Sequence, residues 1–176
     1  MTRGVPIVKV GVIHPVESFW LHWGPNDKSG LIREELDKNF QDLTKWLLFG
    51  SIDFDFISES LLPGLCPHAD APLRVGEMKY DVIVVPGCET LRSSTLDRLE
   101  KFREDGGRVI FLGEAPTLEN AQPSDRGERL FKNSEHIPYQ RASLLTALDR
   151  SRTVCIRDED GYLSDGLISV SYTHLT

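Results

Sequence analysis

The chain has little that would carry it to nucleic acid, a membrane or an oxidising compartment. No Lys/Arg-rich run occurs, and 20 basic residues stand against 27 acidic ones, a net charge of −7. Nucleic acid and anionic membranes both select a basic patch, so neither is expected as a partner. No apolar stretch approaches the roughly 18–20 residues that a membrane span needs. Met1-Thr2-Arg3-Gly4-Val5-Pro6 carries no apolar segment and no small-residue cleavage site, so it does not read as a signal peptide. Cysteine is scarce. Cys66, Cys88 and Cys155 are odd in number and far apart, with neither metal spacing nor a disulfide framework. Reduced thiols are the expectation, and the cytoplasm is the simpler setting. The patterns H-E-x-x-H, G-x-S-x-G, G-x-x-x-x-G-K-S/T and G-x-G-x-x-G are all absent, which removes the strong catalytic and nucleotide-binding signatures. No metal, cofactor or catalytic residue is assigned.

What is present reads as one α/β domain. The 176 residues, 40% hydrophobic and 27% charged, are enough to bury a core. Ile7-Val8-Lys9-Val10-Gly11-Val12-Ile13 reads as a strand buried on both faces. An aromatic loop over 17–25 follows. Ile32, Leu36, Phe40, Leu43 and Leu47 recur at helical steps and predict an amphipathic helix over 29–49, capped by Ser29 and stopped at Gly50. Ile52 to Ile57 alternates as a strand does. Residues 61–80 hold Pro63, Gly64, Pro67, Pro72 and Gly76, and predict mostly loop. Val82 to Val85 is another buried strand. A helix capped by Ser94, with Asp97 three residues on, carries Leu96, Leu99 and Phe102 inward and ends at Gly106-Gly107. Arg108 to Leu112 is a fourth strand. Residues 117–139 predict a long polar loop, 141–150 a helix, and 153–156 a further strand.

This order predicts a flavodoxin-like three-layer sandwich with a mostly parallel sheet, strand order 2-1-3-4 plus the further strand. Residues 1–118 would form the core, and 119–168 would complete or extend the same domain. The run VSYTHLT near the end resembles a translated sequencing adaptor. Residues 169–176, His174 included, are therefore excluded from the functional reading. The natural chain is expected to differ after about Ile168, as in a piece cut from a larger protein.

In such a sheet, ligands bind at the carboxyl ends of the strands. Four strand ends there supply His14 and Glu17, then Ser58 and Glu59, then Gly87, Cys88 and Glu89, then Gly113 and Glu114. The loop after the first strand adds Trp20, His22 and Trp23. The candidate substrate-binding set is thus His14, Glu17, Trp20, His22, Trp23, Glu59, Cys88, Glu89 and Glu114. Sugars stack on aromatic platforms while carboxylates and imidazoles bind their hydroxyls. Plainer roles stand beside this one: a loop hydrogen bond for His14, packing on the long helix for the tryptophans, solvated or helix-terminal charge for the glutamates, and a small buried hydrophobe for Cys88.

The stretch Tyr80-Asp81-Val82-Ile83-Val84-Val85-Pro86-Gly87-Cys88, followed by a helix and Gly106-Gly107-Arg108-Val109-Ile110-Phe111-Leu112-Gly113, resembles class I glutamine-amidotransferase-like domains. It looks most like versions embedded in large glycoside hydrolases, such as the β-galactosidase trimerisation domain and multidomain proteins similar to α-L-rhamnosidases. Val12 to Pro25 looks like the strand-1 loop of the latter. The resemblance spans roughly residues 5–118. In true amidotransferases the nucleophilic Cys follows the strand after the G-G-R-V turn, whereas Leu112-Gly113-Glu114 stands here. Cys88 sits one strand earlier, so the Cys-His-Glu chemistry is not implied. The resemblance implies a non-catalytic accessory domain that lines a carbohydrate cleft or mediates subunit contacts. Its partners would be carbohydrate through the parent enzyme, other domains of the chain, and a second copy in a homo-oligomer. A stand-alone Cys-dependent amidotransferase or peptidase-like enzyme, and a plain interaction domain, are the alternatives.

Overall fold

The computed structural model describes residues 6–161. VSYTHLT and His174 lie outside the described residues. Strand β1 (Val10–Ile13) leads through a short helix α1 (Val16–Leu21) to the long α2 (Asn26–Phe49). After β2 (Phe54–Ile57) come one helical turn, α3 (Leu62–Leu65), and a hairpin of β3 (Leu73–Val75) with β4 (Met78–Tyr80). Next are β5 (Val82–Pro86), the two-residue β6 (Thr90–Leu91), α4 (Ser93–Glu104) and β7 (Arg108–Leu112). Then follow β8 (Leu118–Glu119), β9 (Gln122–Pro123), α5 (Arg126–Lys132), β10 (Glu135–Ile137), α6 (Arg141–Ala147) and a 3-10 turn at Asp149–Ser151. No helix among the described residues is long and apolar enough to cross a membrane.

The main sheet has five strands in the order β10-β7-β5-β1-β2, every pair parallel. The predicted 2-1-3-4 order is therefore present, and a fifth strand extends it beyond β7. The fold is α/β of the flavodoxin-like type. Successive strand residues point to opposite faces, and the packing follows that rule. Val82 and Val84 join Leu43 and Leu47 of α2 and Leu144 of α6 on one face. Ile83 and Val85 join Leu96, Leu99 and Phe102 of α4 on the other. Both faces are covered, which is why the central strands are apolar without alternation.

Several local expectations are corrected. The aromatic loop holds a helix, α1, whose six residues begin directly after Pro15. Helix α2 starts at Asn26 after Pro25, and Ser29 instead donates its hydroxyl to the Pro25 carbonyl one turn back at 3.3 Å. Helix α4 has no side-chain cap from Ser94. Its start is satisfied from a distance: Glu59 accepts from the Arg92 N–H at 2.8 Å, and Asn120 accepts from the Ser93 N–H at 3.1 Å. The Gly106-Gly107 stop holds, with Gly106 at φ +91° and the Gly107 N–H returning to the Phe102 carbonyl at 2.8 Å.

Residues 117–139 are ordered rather than irregular. Arg126 ties α5 to α4 and β8 through Asp97 and Glu100 at 2.5 Å each and Glu119 at 3.2 Å. Polar residues there satisfy one another, so composition alone read as loop. The fifth strand is β10 in this segment, while 153–156 is not a strand and leaves Val154 and Cys155 exposed.

Candidate functional site

The carboxyl edge of the sheet is open because two strands end in glycine turns. Gly87 after β5 has φ +44° and Gly113 after β7 has φ +95°, conformations in which a side chain is strained. The Gly87 N–H donates to the Leu112 carbonyl at 2.8 Å, and the Gly113 N–H to the Ile137 carbonyl at 2.9 Å. Tyr139 lies against these turns: a Cβ built at Gly113 would stand 3.2 Å from its ring. Its hydroxyl donates to the Asn39 carbonyl of α2 at 2.8 Å. The ring packs on Trp46 at 5.6 Å between centroids. Burial pushes the Tyr139 phenol above its ordinary pKa, so it stays protonated.

Helix α2 forms the roof. Its 24 residues span about 36 Å, far more than the four residues of β1 beneath it, so its first turns overhang the strand ends. Ile32, Leu36 and Phe40 continue the apolar stripe past the core and line the cleft.

Helix α1 forms a wall, clamped to the loop between β5 and β6. The Ser18 hydroxyl accepts from the Glu89 and Thr90 amides at 3.0 and 3.2 Å and donates to the Thr90 carbonyl at 3.4 Å. Glu17 pairs with Arg92. His22 Nε2 meets a Glu89 carboxylate oxygen at 2.6 Å.

Between floor, roof and wall lies a cleft of about 860 Å3. Of the predicted residues, His14, His22, Cys88, Glu89 and Glu114 line it. His14 sits edge-on to Phe40 and Phe56 at 5.2 and 5.7 Å, and burial lowers its pKa, leaving a neutral imidazole at neutral pH. The other candidates fall elsewhere. Glu17 and Trp20 line a shallower depression of about 380 Å3 with Arg92 and Asn120. Trp23 leans toward Phe19, 6.2 Å between centroids, and carries the Arg33 guanidinium over its face at 5.3 Å. Ser58 hydrogen-bonds Ser60 at 2.9 Å. Glu59 is 1% exposed and serves the start of α4, not the cleft.

Phe19, Phe40 and Tyr139, none of them a strand-end candidate, also line the cleft with aromatic rings. For Phe40 a signal existed: the apolar stripe of α2 runs two turns longer than a short strand can cover. Nothing local marks Tyr139, which arrives from a segment of polar composition.

Cys88 does not make a nucleophile in this arrangement. It is 2% exposed, its thiol donates to the Pro86 carbonyl at 3.4 Å, and burial holds it protonated, with Glu59 adding to the effect. A thiolate is the reactive species. In the native protein a thiol-exchange reagent at neutral pH should therefore modify exposed Cys155 and leave buried Cys66 and Cys88 until unfolding. Peptide mass mapping reads this directly, and early label on Cys88 would overturn the assignment.

Among the described residues, no group of three or more His, Cys, Asp or Glu converges to hold a metal ion. A larger opening of about 1300 Å3 lies at the opposite, amino-terminal edge of the sheet. Arg108 there is forked onto Glu135 at 2.8 and 2.9 Å, and Arg152 gives Nε to the Gly50 carbonyl and Nη1 to Asp149, while its buried Nη2 has no hydrogen-bond partner among the described residues. Strand amino ends lack the switch-point crevice that collects ligands in this fold, so the carboxyl-edge cleft is the better candidate. No protein-family model matches the chain, and no curated protein matches it.

Proposed function

We propose that this chain is a non-catalytic accessory domain of a larger glycoside hydrolase, with the carboxyl-edge cleft as its carbohydrate-contacting surface. The observation that carries the proposal is the cleft's composition. Aromatic faces of Phe19, Phe40 and Tyr139 share one concavity with His14 and the His22–Glu89 pair. Sugars need both: a flat apolar surface for their C–H faces and fixed donors and acceptors for their hydroxyls. The protonated, enclosed Cys88 supports a binding role over a Cys-dependent enzyme. Resemblance to domains embedded in glycoside hydrolases supports the parent's class.

Calorimetric titration with a panel of oligosaccharides tests the reading. Phe19→Ala and His22→Ala should each lower affinity roughly three- to tenfold, the scale of one hydrogen bond or one aromatic contact. Trp20→Ala, facing the neighbouring depression, should leave affinity unchanged, with thermal melts confirming that all three variants fold. No heat with any glycan, or equal affinity in all variants, would sink the proposal.

A second reading, a plain interaction domain, is favoured by one specific observation. Trp20, Trp23 and Leu31 are 59%, 71% and 84% exposed, and all belong to α1, the turn after it and the first turns of α2. Large exposed apolar side chains gathered in one region mark contact surfaces. Sedimentation of the wild type against a Trp20→Ser, Trp23→Ser, Leu31→Ser variant separates the two: only a contact surface predicts concentration-dependent association that the variant abolishes.

A further inference from the structure

The cleft lining carries charge of one sign. Glu35, Asp37, Glu89 and Glu114 line it, and no Lys or Arg does. Of its histidines, His14 is neutral at neutral pH, and His22 is already engaged by Glu89. Arg33, on the roofing helix, is held over Trp23 and bonded to Asn26. Glu35 and Glu114 are exposed and make no hydrogen bond or ion pair among the described residues. Gln41 already serves Asp37 at 2.8 Å, and His22 serves Glu89. Two carboxylates therefore remain with their full hydrogen-bonding capacity unspent at the cleft.

A cleft with one sign of charge on low-dielectric walls concentrates ligands of the opposite sign. Uronic, sulfated or phosphorylated glycans would meet these carboxylates and no Lys or Arg. A neutral glycan would leave Glu35 and Glu114 to water. We propose that the cleft selects an ammonium-bearing glycan, an amino sugar with a free amine, with Glu35 and Glu114 as its counter-charges. Charge-assisted hydrogen bonds from an ammonium to carboxylates are the strongest such a polar rim can make. The inference rests on the carbohydrate reading above and narrows it to one substrate class.

The test titrates the full chain with three oligosaccharides of equal length: a glucosamine oligomer, its fully N-acetylated counterpart and a uronic acid oligomer. A pH of about 6 keeps ordinary carboxylates ionised. The glucosamine oligomer is expected to bind more tightly than the acetylated form, and the uronic acid oligomer to give no signal. Glucosamine binding should weaken as salt is raised, whereas affinity for a neutral sugar should not. The double substitution Glu35→Gln with Glu114→Gln should weaken the glucosamine oligomer by about three- to tenfold, from two exposed charge contacts of up to about 1 kcal/mol each. It should leave the acetylated form unaffected. Equal binding of the charged and acetylated forms, or binding indifferent to salt and to the double substitution, overturns the charge selection while the carbohydrate reading survives. No binding by any glycan overturns both.

Discussion

Phe102→Ala is expected to lower the unfolding free energy by about 3–5 kcal/mol, read as a shift of the chemical denaturation midpoint at unchanged slope. Phe102 is among the largest fully buried side chains and sits where α4 meets β7. Its loss leaves a cavity among Leu99, Val109 and their neighbours that a parallel sheet cannot collapse into. A loss of this size is a large part of the 5–15 kcal/mol that holds a typical domain folded.

Gly107 supplies the internal check. Its φ is one that any residue adopts, yet a Cβ there would be driven into the Phe102 ring. Gly107→Ala alone should therefore cost about 1–3 kcal/mol by overpacking. In the Phe102→Ala background the same methyl enters vacated space, so most of its cost should vanish. A double-mutant cycle showing additive losses would mean that the two sites are not in contact.

Glu59 carries the second large effect. It was a strand-end candidate for ligand binding, but its carboxylate is enclosed and accepts the Arg92 N–H. Glu59→Ala is expected to cost about 1–3 kcal/mol, because it leaves a part-buried amide at the start of α4 without its acceptor. Glu59→Gln keeps an acceptor and removes the charge, and its effect depends on pH. Burial raises the Glu59 pKa above the ordinary 4.5, with the Glu17 charge adding and the Arg92 N–H opposing. The folded state therefore holds the proton more tightly than the unfolded state. That contribution is fully present below the ordinary value and is lost as pH rises through the raised folded value. Wild type should lose stability across that window relative to Glu59→Gln. Parallel stability–pH curves for the two proteins would contradict the assignment.

The central sheet was legible because its chemistry is local. Val10 to Ile13, Val82 to Val85 and Arg108 to Leu112 are blocks of β-branched and aliphatic residues, and the helices between them keep a helical period. The edge was not. Glu135-His136-Ile137 has one apolar residue in three, since an edge strand that leans on β7 alone has little to bury. Val154, Cys155 and Ile156 are more apolar, but nothing among the described residues pairs with them, and composition cannot supply a neighbour. Likewise His14, Cys88, Glu89 and Glu114 follow strand ends and so line the cleft, while Tyr139 reaches it across about 100 residues of chain to Asn39. Glu59 also follows a strand end but turns to the start of α4, because the rule gives position and not the direction in which a side chain turns.

The wall of the cleft has a thermodynamic character of its own. A six-residue helix without a side-chain cap has no standing stability in water. Helix α1 therefore exists by virtue of one serine hydroxyl, the Glu17–Arg92 ion pair and the His22–Glu89 hydrogen bond, all anchored on the chain around β6. Its amides should exchange with deuterium far sooner than those of β5 or β7, whose opening requires the whole sheet to come apart. Any ligand that seats against His22 and Phe19 must hold that helix closed. Occupancy of the cleft would then be written into the exchange rates of residues 16–21, giving a readout of binding that needs neither a chromophore nor a catalytic turnover.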